Sequence, residues 1–155
     1  MSYNLLFVCT GNTCRSPLAA ALARHALAAR DADDVAIRSA GTSAWPGSPA
    51  SSEVPLVLEE IGIQLGEHEA TELSPELVEW ADLILVMGLS HRRAVEALGG
   101  ASKVELVTAF LDGAEAGQPV LDPIGASVET YRRTRDQLQR SVDGLLDHLE
   151  SSAVI

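Results

Sequence analysis

The chain has 155 residues, of which 46% are hydrophobic and 21% charged, enough apolar material for one compact α/β domain over residues 1–155. Its 11 basic and 22 acidic residues leave a formal charge of −11. That argues against non-specific binding to nucleic acid or to an anionic membrane, and it requires any phosphate affinity to be built locally. No stretch is long and apolar enough to span a bilayer. Met1–Asn4 lacks the basic start of a signal peptide, and the only cysteines are Cys9 and Cys14. The expectation is a cytoplasmic, monomeric protein with reduced thiols.

Tyr3 to Val8 reads as a central strand, continuously apolar in its second half as expected when both faces are covered. The loop Cys9-Thr10-Gly11-Asn12-Thr13-Cys14-Arg15-Ser16-Pro17 follows, and an Ala/Leu-rich helix runs to about Arg30. Ser16 is placed to cap that helix, with Pro17 at its first position. Asp31–Asp34 is an acidic turn, and Val35 to Ser39 a short strand leading into Ala40-Gly41-Thr42. Ser43 to Ser52 is a Ser/Pro/Gly loop containing Trp45; Ser52 is a candidate cap for a helix from about Glu53 to Ile61, which Gly62 stops.

Ile63 to Thr71 is irregular and holds His68. Ser74-Pro75 opens another helix, and Asp82 to Met87 is a buried strand. A helix starts at Ser90 and ends near Leu98, and Lys103 to Val107 is a fourth strand. Leu111 to Ala126, rich in Gly and Pro, reads as a long surface loop. From about Ser127 to Glu150 a last helix carries Val128, Tyr131, Leu138, Val142, Leu145 and Leu149 on one stripe, with Arg135 as the exception. Trp80 reads as core, and His25, His91 and His148 as solvated helix residues. Strands alternating with helices imply a parallel sheet covered on both faces, with ligands at the carboxyl ends of its strands.

The Cys9 loop lies at that end. A helix N-terminus and loop amides favour an anion in front of them. Arg15 supplies a planar fork that binds two phosphate oxygens. The same surroundings favour a Cys9 thiolate, which can attack phosphorus and form a phosphocysteine. Ser16 can donate its hydroxyl to the departing thiolate. Gly11 leaves room for backbone to approach the oxygens, and Asn12 tolerates a left-handed backbone. A general acid is also needed, and Asp122 in Leu121-Asp122-Pro123 is the candidate, although an Asp-Pro pair is also a common turn former. Trp45, in a polar loop, is a candidate pocket wall. No Cys/His cluster implies a metal, and no cofactor is expected.

These residues carry a resemblance. Cys9 to Pro17 resembles the signature of the low-molecular-weight protein tyrosine phosphatases, and the likeness runs from the first strand to the last helix. It implies a three-layer α/β/α fold with a four-stranded parallel sheet and the phosphate-binding loop after the first strand. It implies Cys9, Arg15 and Asp122 as catalytic residues and Thr10, Gly11, Asn12, Thr13, Cys14 and Ser16 as the phosphate loop. By the same resemblance Trp45 lies beside the substrate, Ser39 in Ser39-Ala40-Gly41-Thr42 bonds the loop asparagine, and His68 supports the loop from behind. The expected partners are phosphorylated proteins.

Thr13 stands where tyrosine-specific members place a larger aliphatic residue, and it resembles the bacterial protein-arginine phosphatase branch. Asp122-Pro123-Ile124-Gly125 and the segment through Tyr131-Arg132-Arg133-Thr134-Arg135-Asp136 are similar to that branch, with Ile124 departing from its usual aromatic. Hydrolysis of protein phosphoarginine is therefore expected, with a tyrosine phosphatase as the alternative. A non-catalytic phosphate-binding module is a third reading, disfavoured by the joint presence of Cys9, Arg15 and Asp122. An arsenate reductase would need a further cysteine pair, which the chain lacks. Cys14 either packs or captures oxidised Cys9 as a disulfide, which would make the enzyme redox-sensitive.

Overall fold

The computed structural model describes residues 2–155. Its elements run β1 (Tyr3–Cys9), α1 (Arg15–Ala29), β2 (Val35–Gly41), α2 (Glu53–Glu59), α3 (Pro75–Trp80), β3 (Leu83–Val86), α4 (Leu89–Ala97), β4 (Val104–Leu106) and α5 (Val128–Ser151). The four strands form one sheet in the order β2-β1-β3-β4, and every pair is parallel. Strand order reverses beside β1, so the crevice for a ligand opens at its carboxyl end.

Alternation along β1 divides the core. Leu5, Phe7 and Cys9 face one layer, packed with α1, α2 and α5. Leu6 and Val8 face the other, where Leu77 and Val78 of α3 and Val95 of α4 cover them. This is the expected three-layer α/β/α arrangement. Tyr131, Leu138, Val142, Leu145 and Leu149 of α5 are buried, as their spacing requires.

Several local expectations are corrected. Helix α1 begins at Arg15 with Cys14 as its N-cap and no side-chain cap bond. Ser16 lies inside the helix, and its hydroxyl turns toward the loop instead of capping. Pro17 is still tolerated, because first-turn N–H groups have no intrahelical acceptor. Ser52 does not cap α2; its hydroxyl bonds Glu53 Oε1 at 3.0 Å. Helix α4 starts at Leu89 without a side-chain cap, so Ser90 is not its opening residue. Ser74 and Ser127 do cap α3 and α5.

Arg135 is buried rather than a break in the stripe. Its Nη1 donates to the Val57 carbonyl at 2.9 Å and to Glu60 Oε1 at 2.8 Å, tying α5 to α2. Trp80 is only half-buried; it packs at the edge of the second layer with the Arg38 guanidinium 5.1 Å above its ring. The fourth strand is shorter than its apolar run, because Val107–Phe110 winds into a 3₁₀ turn.

Strand β2 extends two residues beyond Ser39, pairing Ala40 with Val8 and Gly41 with Cys9. That extension brings Gly41 against the loop. A Cβ there would strike the Thr10 carbonyl and lie 2.9 Å from the Asn12 nitrogen. Backbone cannot yield as a side-chain tip does. Gly41→Ala is expected to cost about 1–3 kcal/mol in denaturant unfolding and to lower phosphate-ester turnover. A variant with wild-type stability and activity would contradict the close approach.

Candidate active site

The segment from Cys9 to Arg15 links β1 to α1, and its carbonyls point away from its centre. The Cys9 and Thr10 carbonyls accept from the Thr42 and Ser43 amides, each at 2.9 Å. The Asn12 carbonyl accepts from His68 Nε2 at 2.7 Å, and the Thr13 carbonyl from the Ser51 amide at 2.9 Å. Among the described residues, the N–H groups of Gly11 to Cys14 donate to no protein acceptor. A run of free amides at the start of a 15-residue helix is an anion nest.

Asn12 holds that shape. Its φ of 56° lies in the left-handed region, which a short polar side chain accepts by bonding locally. The side chain is fully buried. Its Nδ2 donates to Ser16 Oγ at 2.7 Å and to Ser39 Oγ at 3.0 Å, and its Oδ1 accepts from the Thr71 amide at 2.9 Å. Ser39 and His68 thus sit behind the loop, bonded to the Asn12 side chain and carbonyl. Asn12 occupies one acceptor site of Ser16 and leaves its O–H free to donate. Cys9 Sγ, 2.9 Å away, is nearer than the Ala40 carbonyl at 3.4 Å.

Cys9, Thr10, Gly11, Thr13, Cys14, Arg15, Asp122 and Ile124 line a cavity of about 130 Å³. The fold therefore brings Asp122 to the loop across more than a hundred residues. Arg15 makes the link. It is buried, and its Nη1 donates to the Val120 carbonyl at 2.9 Å. The Val120 amide is anchored in turn on the Met87 carbonyl at 2.8 Å. Two residues on, Asp122 Oδ2 lies 3.6 Å from Arg15 Nη2, and its Oδ1 accepts from the Ile124 amide at 3.1 Å. The side chain keeps 43% of its surface exposed, open to a substrate and to water. Arg15 Nε is buried with no partner, a donor positioned for an incoming oxygen.

Cys14 contributes to the cavity wall, but its sulfur turns away, 3.0 Å from Ser51 Oγ and 3.4 Å from Tyr131 OH. Ser51 carries no functional signature in the sequence, and Tyr131 enters it only through the apolar stripe and the branch-like segment. Trp45 is 81% exposed and is not among the residues lining the cavity. It lies two residues beyond Ser43, whose amide holds the Thr10 carbonyl. A larger groove of about 410 Å³ opens at the other end of the strands, around Tyr3, Asp34 and Val35; it contains no cysteine and no basic side chain to hold a phosphate. Among the described residues, no group of three or more His, Cys, Asp or Glu side chains could hold a metal ion, and no helix is long and apolar enough to cross a membrane.

His91 corrects the expectation of a solvated helix residue. It is 4% exposed, and its Nε2 lies 2.8 Å from Thr10 Oγ1. The usable signal was its place one turn into the helix after β3, at the same end of the sheet as Cys9. Burial foremost, then the Arg15 charge, lowers its pKa from 6.5 to about 4 against an opposing pull from Asp122.

A thiol at a strand end, an anion nest on a helix N-terminus, an arginine six residues on and a carboxylate facing them define a cysteine-based phosphate-transfer site. The chain belongs to the low molecular weight phosphotyrosine protein phosphatase family, whose model matches residues 4–154. It is 37% identical to a protein-arginine-phosphatase of Geobacillus stearothermophilus over 97% of this chain and 99% of that one. Its structure resembles a cysteine-to-serine mutant of YwlE arginine phosphatase with a phosphorylated active-site serine (TM-score 0.85, 36% identity, 95% of each chain). It is equally similar to a low molecular weight protein tyrosine phosphatase from T. tengcongensis (TM-score 0.88, 38% identity, 96% of this chain and 100% of that chain). The chain is a protein phosphatase.

The His91 environment has a consequence for stability. With its folded pKa below that of free imidazole, the native state binds fewer protons than the unfolded chain between the two values. Its contribution is fully present above about pH 6.5 and is lost as pH falls toward 4. Thermal unfolding of His91→Gln is expected to lose less stability than wild type across that window. Parallel pH profiles would contradict a neutral, buried His91.

Proposed function

We propose that this phosphatase hydrolyses phosphoarginine in proteins through a phosphocysteine on Cys9. In the first step the Cys9 thiolate attacks phosphorus in line. The P–N bond breaks as Asp122 delivers its proton to the leaving guanidine nitrogen, and the Gly11–Cys14 amides and Arg15 hold the phosphoryl oxygens. In the second step the Asp122 carboxylate takes a proton from water, the water oxygen attacks phosphorus, and the S–P bond breaks. The Ser16 hydroxyl donates to the sulfur that leaves. The products are an arginine side chain and inorganic phosphate.

The observation that carries the substrate is Thr13 in the cavity wall with the Asp122 carboxylate. Threonine is smaller than the aliphatic residue of tyrosine-specific members and adds a hydroxyl, which suits a planar, polar guanidinium. Asp122 donates its proton as the acid and, once ionised, is an anionic partner for the departing guanidinium. The 37% identity to a protein named protein-arginine-phosphatase supports the same reading. A tyrosine phosphatase is the second reading, favoured by Ile124. It lines the cavity and is 62% exposed, so it offers an apolar wall to an aromatic ring.

The test compares kcat/KM for phosphoarginine and phosphotyrosine in matched peptides. Wild type is expected to prefer phosphoarginine, and Thr13→Ile to lose about tenfold or more on that substrate while keeping its phosphotyrosine activity. A wide wild-type preference for phosphotyrosine would establish the second reading instead. Asp122→Ala is expected to lower turnover about 10²–10⁴-fold, and Cys9→Ser to abolish phosphate release. Turnover unaffected by Asp122→Ala would remove it from the mechanism.

A further inference from the structure

We infer that His91 is a positioning residue for phosphate capture: its Nε2 holds the Thr10 hydroxyl, and through that hydroxyl it fixes the Arg15 guanidinium. The inference rests on the role given above to Arg15 and extends the site to a helix on the opposite layer of the sheet.

Three atoms form the link. Thr10 Oγ1 lies 2.8 Å from His91 Nε2, and Arg15 Nη2 donates to the same oxygen at 3.3 Å. A hydroxyl oxygen has two acceptor sites, so Thr10 can accept from the histidine and from the arginine at once. This requires the proton of the neutral ring to sit on Nε2. The environment of the other ring nitrogen agrees. Nδ1 is buried and has no partner; placing the proton there would leave an unsatisfied buried donor, and charging the ring would do so while adding a second cation beside Arg15. The groups facing the ring are thus Thr10, the Arg15 charge and the Asp122 carboxylate, and the last two oppose each other.

The geometry matters because, apart from Thr10, Arg15 is held only by the Val120 carbonyl and the distant Asp122 carboxylate. Nη1 is fixed by the Val120 carbonyl, and Nη2 lies between Thr10 Oγ1 and the more distant Asp122 Oδ2 at 3.6 Å. Asp122 must exchange protons with the substrate and stays partly exposed, so it is a poor fixed anchor. Thr10 is itself exposed and free to rotate about χ1. The buried His91 removes that freedom. The planar guanidinium is then set by Val120 on one side and by Thr10–His91 on the other, with Nε left for a phosphate oxygen.

The test is a double-mutant cycle on the whole enzyme, with an aryl phosphate as substrate and inorganic phosphate as competitive inhibitor. His91→Leu keeps buried volume but cannot bond Thr10. Thr10→Val keeps shape but has no hydroxyl. Each is expected to lower kcat/KM about tenfold and to raise the phosphate Ki by a similar factor. The double variant should be no worse than the poorer single one, because both remove the same link. His91→Gln, whose amide N–H reaches the Nε2 position, should recover most of the loss.

Losses that multiply in the double variant, or a His91→Gln variant as poor as His91→Leu in phosphate Ki at wild-type melting temperature, would overturn the inference. If His91→Leu fails to fold, His91→Met, which also fills the site and cannot donate, takes its place: a loss in phosphate Ki that disappears in the Thr10→Val background supports the link, and one that persists overturns it. Cys9→Ser separates this from the reading beneath it, since hydrolysis that survives that change would refute the catalytic mechanism whatever His91 does.

Discussion

The site depends on one buried side chain, Asn12. A phosphate nest needs consecutive N–H groups turned inward, and that backbone is unfavourable without compensation elsewhere. Asn12 takes the left-handed conformation at the turning point, and its amide is held by Ser16, Ser39 and Thr71, while His68 holds its carbonyl. These partners come from α1, β2 and the irregular segment before α3. The loop is therefore shaped by tertiary contacts on its outer side, and its inner side is left for an anion. The same asparagine bonds Ser16, whose oxygen lies 2.9 Å from the Cys9 sulfur. Loop shape and nucleophile environment are set by one residue.

Arg15 performs the matching task across the cleft. Asp122 sits on a long connection with little regular structure, and such a segment has many conformations to lose on ordering. The connection is pinned at Val120, between the Met87 carbonyl and the Arg15 guanidinium. The Asp122 carboxylate is thus placed by the same guanidinium that borders the anion nest. With a formal charge of −11 on the chain, this local concentration of donors is what makes an anionic substrate acceptable.

Much of this was legible beforehand, for identifiable reasons. Strand β1 follows from a continuous apolar run, the helix after it from its Ala/Leu-rich composition, and the stripe on α5 from apolar periodicity, each of which reports burial directly. Cys9, Asn12 and Arg15 lie within one short turn, where sequence distance is nearly spatial distance. Ser39 and His68 are placed by resemblance alone, and Asp122, a candidate acid from its Asp-Pro loop, is only strengthened by it, since nothing in their local spacing points to a loop elsewhere in the chain. His91 was misread because its helix is polar around it, with Ser90, Arg92 and Arg93 as neighbours. Arg135 was set aside because a charged residue on an apolar stripe looks like an interruption. Its burial is stabilised by the Val57 carbonyl and Glu60, partners that only the packing of α2 on α5 supplies.

The amino-acid sequence by itself determined the alternation of strands and helices, the apolar stripe of the last helix, and a loop whose composition suits a thiolate and a phosphate. Those are short-range properties, carried by periodicity and by residues a few positions apart. Only the tertiary structure decided that Asp122 faces Cys9, that Ser16 serves the sulfur rather than the helix end, and that His91 bonds Thr10. Each of these is a meeting of polar groups from distant segments. A polar side chain does not state in advance whether water or a buried partner will satisfy it, and that choice is made when the sheet and its covering helices close around it.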